Sequence, residues 1–197
     1  MQRLLMLSVS AMVTIYAGGA LADSLKGTYG YSGSTGCLFS SGGFNGNFQP
    51  NPGSTVWFSS SSDEGIRTFN GNGTGTFTNR NTSVTPPPTP PTAFLASASS
   101  SESSASFTYK VADDTFTSQN VKGTDKGTVL SGPRKGQTFT VEFIPEATGL
   151  ISANGRTLTT SILSPGVEIV TYSNGDIHHR ICHRSRVYTK LDNDGAQ

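Results

Sequence analysis

The strongest constraint on the fold is an alternation of apolar and polar residues with a period of two, which recurs along the chain after residue 23. The alternation is clearest in residues 25–32, 107–111, 138–143 and 158–162. A period of two, combined with aromatic and β-branched residues, is typical of antiparallel strands with one buried face and one wet face. Helical periodicity is almost absent, so the sequence predicts an all-β protein.

Turn-forming dipeptides separate the alternating segments. Asn154-Gly155 and Asn174-Gly175 are strong hairpin signals, because both central residues of a type I′ turn need a positive φ angle. Several short strands joined by tight turns predict an antiparallel up-and-down β-barrel of about 8–10 strands, with a β-sandwich as the alternative. The predicted strands lie near residues 25–33, 55–60, 65–70, 74–80, 105–112, 115–121, 126–131, 137–144, 156–163, 166–172 and 177–189.

The N-terminus has the parts of a secretory signal peptide. Arg3 gives a positive start, residues 4–17 form an apolar run, and Ala20 and Ala22 are the small residues that signal peptidase reads. The run is shorter than the roughly 20 residues that a spanning helix needs. We therefore predict a signal peptide over residues 1–22, cleaved after Ala22. The expected product is a secreted or periplasmic single domain over residues 23–197, without a membrane span.

Cys37 and Cys182 are the only cysteines. Export to an oxidising compartment makes a disulfide between them the expected state, with two buried free thiols as the alternative. We place Cys37 in a Gly/Ser loop after the first strand and Cys182 in the last strand. The bond would make the two ends of the chain neighbours, as in a sheet that closes on itself.

Two segments depart from the strand pattern. Residues 39–53 are rich in Gly, Ser, Asn and Pro, and we interpret them as a long loop that packs over the mouth of the barrel. Residues 82–104 contain a run of prolines and then a serine-rich stretch. Because prolines favour extended polyproline II and serine-rich chain is flexible, we predict a surface excursion over 82–104.

Composition excludes several classes of function. The formal net charge is +1 and only 14% of residues are charged, against a usual share of about 25%. A chain this close to neutral lacks the clusters of positive charge that bind nucleic acids or anionic membranes.

The sequence contains no recognisable catalytic motif. Serines are abundant, but no G-x-S-x-G elbow occurs and no pair of carboxylates has a spacing typical of acid–base catalysis. We predict no cofactor and name no catalytic residue.

The segment 177–186 holds all three histidines and a cluster of arginines. Strand geometry disfavours a zinc site, because His178 and His179 face opposite ways and His183 lies about 13 Å along the strand from His179. Three interpretations of the arginines remain. They form an anion site, they lie on a solvated strand face, or one of them stacks on an aromatic ring of the first strand. All three place Arg180, Arg184 and Arg186 on one face with Cys182.

Gly27-Thr28-Tyr29, just after the expected cleavage site, resembles the opening of the lipocalin and calycin group. In that group a G-x-W on the first strand meets an arginine on the last. Tyr29 stands where the tryptophan would be, and Arg184 or Arg186 could be the arginine. The ending from Ile181 is also similar to that of small secreted bacterial proteins of uncharacterised function. The resemblance implies an antiparallel barrel with an apolar cup.

We carry three functional hypotheses. The first is a binding module for a small apolar or amphipathic ligand, the second a structural or interaction protein of the cell envelope with a filled core, and the third a barrel enzyme of the isomerase or cyclase type. An outer-membrane barrel is a weaker fourth hypothesis.

The binding hypothesis names candidate residues. Trp57 either lines the ligand cavity of such a barrel or belongs to the core. Inward aromatic residues expected to line the cup are Tyr29, Tyr31, Phe107, Tyr109, Phe139 and Phe143. The residues predicted to bind the ligand are Tyr29, Trp57, Tyr109, Phe139 and Arg184.

Overall fold

A computed structural model describes residues 25–86, 96–142, 147–162 and 165–191. Within these ranges the regular structure consists of ten β-strands, without a helix. The expected signal peptide with its cleavage site, the prolines from Pro87 to Pro91, and Phe143 lie outside the described residues. The strands are β1 (Lys26–Ser40), β2 (Val56–Asn70), β3 (Thr74–Thr85), β4 (Ser97–Ala112), β5 (Thr115–Val129), β6 (Thr138–Glu142), β7 (Ala147–Ile151), β8 (Thr157–Ser161), β9 (Val167–Tyr172) and β10 (Ile177–Lys190).

The strands pair antiparallel into a closed ring. Each strand pairs with the next in the order β1-β2-β3-β4-β5-β6-β9-β10, and β10 pairs with β1, so that eight strands close the ring. The wall between β5 and β10 has two levels. The pair β6 and β9 fills it at one end, and the pair β7 and β8 fills it at the other. The all-β antiparallel prediction is confirmed, and a closed ring is compatible with both the barrel and the sandwich.

The end of the ring that holds β7 and β8 is filled by a cluster of aromatic side chains, which we call the plug. Phe69 lies at its centre and makes edge contacts with four other rings at centroid distances of 5.0–5.7 Å. The Tyr29 hydroxyl donates to the Gly155 carbonyl (2.7 Å) and the Tyr109 hydroxyl to the Leu25 carbonyl (2.6 Å). The polar ends of both rings are therefore satisfied inside the core. The plug consists of Leu25, Tyr29, Tyr31, Phe69, Phe77, Ala105, Phe107, Tyr109, Phe116, Val121, Leu158 and Tyr188.

Arg67 is buried among these rings, with 3% of its surface exposed. Its guanidinium carbon lies 4.5 Å from the centroid of Phe107 and 5.5 Å from those of Phe77 and Tyr188. Burial lowers the pKa of this guanidinium below its usual value. The faces of the rings supply part of the electrostatic stabilisation that water would otherwise give the charge.

Large inward rings lie over glycines of the neighbouring strand. In each case the ring and the glycine are directly opposite in the strand register, and a Cβ on the glycine would overlap the ring. A bare backbone thus makes the space into which the ring folds, which is a recurrent way to pack aromatic residues in a sheet. The pairs are Gly65 with Tyr31, Gly75 with Phe107, Gly127 with Phe139 and Gly149 with Phe116.

Gly75 provides a direct test of this packing. In Gly75→Ala the new methyl overlaps both the Phe107 ring and the Thr68 carbonyl oxygen. We expect the free energy of unfolding to fall by about 1–3 kcal/mol, as overpacking typically costs. Gly46→Ala is the control, because a methyl there meets nothing within 4 Å. Urea denaturation of both variants measures the difference, and equal midpoints would contradict the packing described.

The strand boundaries correct several predictions. The two strands predicted near 55–60 and 65–70 are parts of one strand, β2 (Val56–Asn70), and those predicted near 115–121 and 126–131 are parts of one strand, β5 (Thr115–Val129). β7 was not predicted. Cys37 lies within β1, which runs on to Ser40, and not in a loop. The long loop covers residues 41–55, where a single bridge pairs Phe44 with Pro50.

The prediction of a surface excursion over residues 82–104 is wrong where the structure describes this segment. β3 continues to Thr85 and β4 begins at Ser97, and the two strands pair along their length. Ser97, Ser99, Ser101 and Ser103 face the inside of the ring. The sequence shows no apolar–polar alternation in this part of β4, because both faces of the strand carry small or polar residues.

The predicted disulfide between Cys37 and Cys182 is present. The two residues are directly opposite on β1 and β10, with Cα atoms 4.1 Å apart, and no described cysteine is free. The bond therefore reinforces the pairing that closes the ring. A disulfide is consistent with an oxidising location such as the periplasm or the extracellular space.

The double variant Cys37→Ser/Cys182→Ser removes this bond. The bond closes a loop with a sequence separation of 145 residues, so its loss frees a large unfolded ensemble. We expect the free energy of unfolding to fall by about 2–5 kcal/mol. Ser34→Ala/Ser185→Ala is the matched control, since these residues are also opposite on β1 and β10 but face outward. If the two double variants unfold at the same urea concentration, the bond contributes nothing to the closed ring.

Candidate ligand cavity

The end of the ring opposite the plug contains a cavity of about 360 Å³. The inward faces of β1 to β6, β9 and β10 contribute to its lining. This volume lies at the small end of the usual range for ligand sites, roughly 300–1,000 Å³. The cavity therefore suits a small molecule rather than a peptide or a long chain.

One wall of the cavity, formed by β2, β3 and β4, is built from small polar side chains. We call it the hydroxyl wall. The three strands place alternate residues inward. In this half of the ring most of those residues are serine and asparagine, the exceptions being Trp57, Asp63 and Thr85, whereas in the other half the same faces carry the plug. Serine hydroxyls both donate and accept hydrogen bonds. The hydroxyl wall consists of Ser59, Ser61, Asn79, Asn81, Ser83, Ser97, Ser99, Ser101 and Ser103.

The facing wall is apolar. Phe39 and Trp57 are opposite each other in the strand register and stack with ring centroids 5.3 Å apart and planes 14° apart. Phe139 and Tyr172 continue the aromatic surface, with centroids 5.9 Å apart. We call these four residues together with Cys37, Val129 and Val170 the apolar wall. The cavity therefore has two faces of different chemistry.

Arginines of β10 line the cavity between the two walls. The Arg180 Nε donates to Glu168 Oε2 (2.7 Å), and Arg184 Nη1 lies 2.5 Å from the other oxygen of the same carboxylate. Arg180 also lies 3.8 Å from Asp125 Oδ2, and Arg186 lies 3.6 Å from Asp63 Oδ2. We call these six residues the ionic network. It contains three positive and three negative side chains, so the formal charges cancel.

The two carboxyl groups nearest to Arg180 shift in opposite directions. Burial alone would raise the pKa of Glu168, but the charges and hydrogen bonds of Arg184 and Arg180 outweigh it and lower the pKa to about 2. Burial raises the pKa of Asp125, and the opposing effects of Ser101, Arg180 and Arg184 are smaller. Asp125 Oδ1 is buried and has no hydrogen-bond partner among the described residues.

The mouth of the cavity carries a histidine among aromatic rings. His178 makes edge contacts with Trp57 (4.9 Å) and Tyr172 (5.1 Å). Arg134 lies over Tyr172, 4.9 Å from its centroid, and Arg134 Nη2 bonds Asp176 Oδ2 at 2.8 Å. Burial and, to a lesser extent, the nearby Arg134 lower the pKa of His178 to about 4. The imidazole is therefore neutral at physiological pH.

The structure separates the five residues predicted to bind the ligand. Trp57, Phe139 and Arg184 line the cavity. Tyr29 and Tyr109 belong to the plug and pack away from it. Of the other aromatic residues expected in the cup, Tyr31 and Phe107 also belong to the plug. Alternation identified their inward face but carries no information about their height along the ring.

The arginines of β10 share one inward face, as predicted, and the alternative of a solvated strand face is wrong. The predicted cation–π contact with the first strand is confirmed, since Arg186 lies 5.2 Å from the ring centroid of Tyr31 and Arg180 lies 5.8 Å from that of Phe39. The ring beneath Arg186 is Tyr31 rather than Tyr29. Within the described residues, no group of three or more His, Cys, Asp or Glu side chains is arranged to hold a metal ion.

Sequence reasoning missed the acidic partners and the hydroxyl wall. Glu168 alternates with Val170 on β9, and this pattern places its carboxylate on the inward face. The pairing of β4 with β5 has an irregularity before Asp125. Counting alternate residues from the start of β5 therefore does not show whether the Asp125 side chain faces inward or outward. Only the concentration of arginines on the inward face of β10 indicated that buried acids must exist elsewhere.

No family model matches the chain, and a search of curated proteins found no similar sequence. Among the residues that the structure describes, no helix is long and apolar enough to span a membrane.

Titration of the two buried carboxyl groups tests the ionic network. We expect the Glu168 carboxyl to titrate near pH 2, against an ordinary value of 4.5, and the Asp125 carboxyl above its ordinary 3.8. Carbon-detected NMR of the side-chain carboxyl groups measures both, and each serves as the control for the other. Titration of Glu168 near its ordinary value would contradict the network.

The same shift makes stability depend on pH. The folded pKa of Glu168 is lower than the unfolded one, so its contribution to the free energy of unfolding is present in full above about pH 4.5. The contribution is lost as the pH falls from 4.5 towards 2. Urea denaturation at a series of pH values should show this loss in that window.

Proposed function

We propose that this protein is a binding module for a small amphipathic molecule, acting outside the cytoplasm. The observation that carries the proposal is the division of the ring into a plugged half and a half with a two-faced cavity. A core filled along its whole length would favour the alternative of a purely structural envelope protein. The cavity instead supports a function inside the ring.

The two walls indicate which kind of ligand would fit. The apolar wall offers aromatic surface, and burial of apolar ligand surface against it would drive binding. The hydroxyl wall would leave polar groups without partners if a wholly apolar ligand filled the cavity, and such desolvation is costly. We therefore propose a ligand with one apolar and one polar side, rather than the apolar ligand of the simplest calycin-like interpretation.

Export remains part of the proposal. The signal peptide over residues 1–22 is inferred from sequence, and the disulfide between Cys37 and Cys182 supports an oxidising compartment independently. The resemblance of Gly27-Thr28-Tyr29 to the opening of the lipocalin and calycin group supports the barrel architecture within this proposal.

A matched pair of variants tests binding inside the ring. Ser103 is buried on the inward face of β4, and its neighbour Ser104 is exposed on the outward face. Ser103→Phe should fill part of the cavity and weaken binding of N-phenyl-1-naphthylamine, a neutral probe, by roughly tenfold or more, whereas Ser104→Phe should leave it unchanged. The probe is titrated while the emission of Trp57, the only tryptophan, is followed. Equal affinity of both variants would contradict the proposal, and so would an unmodified protein that binds neither this probe nor any neutral sugar.

One observation favours a second candidate, an enzyme of the isomerase or cyclase type. Asp125 lines the cavity with an unpartnered carboxylate oxygen, and burial raises its pKa, which suits a general acid or base. Molecules that co-purify with the protein from its host should be incubated with it and followed by NMR. A change in their structure that Asp125→Asn stops would favour the enzyme over the binding module.

A further inference from the structure

The ligand class follows from three properties of the cavity, provided that the cavity is a binding site as proposed above. The first is charge. Each arginine that lines the cavity already faces a carboxylate: Arg180 and Arg184 face Glu168, Arg186 faces Asp63, and Arg134 faces Asp176. A carboxylate or phosphate on the ligand would have to displace one of these carboxylates, leaving it buried and unpaired, which is strongly unfavourable.

A cationic ligand meets the same difficulty. Asp63 accepts hydrogen bonds from the Thr35 hydroxyl (2.6 Å) and from the Asn81 amide (2.6 Å), so its oxygens are engaged. Asp125 lies 3.8 Å from Arg180, so its charge is also opposed within the cavity. With the charges of the ionic network cancelled, the cavity favours a neutral ligand.

The second property is the supply of hydrogen-bonding groups. Asp125 Oδ1 and Gln137 Oε1 line the cavity, are buried, and lack a partner among the described residues. Both are acceptors, so each leaves a place for an O–H or N–H donor of the ligand. The hydroxyl wall adds groups that donate and accept, which matches a ligand carrying several hydroxyls.

The third property is the aromatic surface of the apolar wall. Trp57, Phe139 and Tyr172 present rings rather than branched aliphatic chains. A saturated six-membered ring of a ligand carries hydroxyls around its edge and C–H groups on its face. It can lie with the C–H groups against the aromatic side chains and with the hydroxyls towards the hydroxyl wall. The volume of about 360 Å³ limits such a ligand to a small size.

We propose that the cavity binds a neutral polyhydroxylated ring, of the chemical class of a mono- or disaccharide, between the apolar wall and the hydroxyl wall. Asp125 and Gln137 accept hydrogen bonds from its hydroxyls. The ionic network does not bind the ligand by charge. The network instead excludes charged derivatives of the same sugar.

The test uses the full exported chain with its disulfide intact and a panel of probes. The neutral sugar probes are glucose, galactose, maltose and cellobiose, the charged sugar probes are glucuronate and glucosamine, and the neutral apolar probes are decan-1-ol and N-phenyl-1-naphthylamine. Saturation-transfer NMR and titration of Trp57 emission measure binding. We expect at least one neutral sugar to bind at least tenfold more tightly than glucuronate and glucosamine.

Matched variants locate the binding. Trp57→Ala should reduce the affinity for the neutral sugar at least tenfold, measured by NMR, whereas Phe58→Ala should not, because Phe58 is the next residue and points outward with 51% of its surface exposed. Asp125→Asn should weaken binding more than Asp114→Asn, which alters an exposed turn residue. Circular dichroism verifies that each variant is folded.

The outcomes separate this inference from the proposed function. Equal or tighter binding of glucuronate or glucosamine would overturn the argument from charge. Binding of decan-1-ol or N-phenyl-1-naphthylamine without any neutral sugar would overturn the inference and leave a binding module for apolar molecules. If no probe binds, the proposed function fails and the inference fails with it.

Discussion

The antiparallel pairing of β1 with β10 is the constraint on which the rest of the structure depends. It runs from Tyr29 opposite Lys190 to Ser40 opposite His179, and the disulfide lies within it. A ring closed in this way has no free edge along these two strands, and every second residue of each must face the interior. For β10 this interior face includes three arginines, so closure of the ring itself forces guanidinium groups into the protein.

Burial of those arginines determines how the interior can be filled. A buried charge needs a partner, and Glu168, Asp125 and Asp63 provide partners from β9, β5 and β2. The side chains opposite the ion pairs are mostly serine and asparagine, which are too small to fill the space, so this half of the ring retains a cavity. The aromatic rings gather in the other half, where they fold over glycines of the neighbouring strands. The plug and the cavity thus lie at opposite ends of the same strands.

Sequence alone predicted those parts of this arrangement in which the two faces of a strand contrast. The apolar strands and the shared face of the β10 arginines follow from alternation, and the cysteine pair follows from there being only two cysteines in a chain predicted to be exported. The serine-rich half of β4 did not, because a strand that faces a polar cavity on one side and solvent on the other shows no apolar signal. Alternation also does not show at which end of the ring an inward residue lies. Tyr29 and Tyr109 are therefore predicted at the cavity, whereas they lie in the plug. Whether a polar segment forms a strand and where an inward residue lies along the ring both depend on pairing between strands that are distant in the sequence. The local sequence pattern does not contain that pairing.

A strand as polar as the first half of β4 would not persist alone, since serine contributes little to the packing of a sheet. It persists because β3 and β5 pair with it on both sides and because the same strand continues into the plug through Ala105, Phe107 and Tyr109. The plug anchors one end of the strand, and the register then fixes the direction of every serine in the other. The serines of the hydroxyl wall therefore contribute little to the packing of the sheet, whereas Asn79 accepts a hydrogen bond from the Tyr31 hydroxyl (2.9 Å) and Asn81 donates one to Asp63 (2.6 Å). Replacing one of these serines changes the lining of the cavity, whereas replacing a ring or a glycine of the plug changes the fold, because each ring fills the space that a bare backbone leaves.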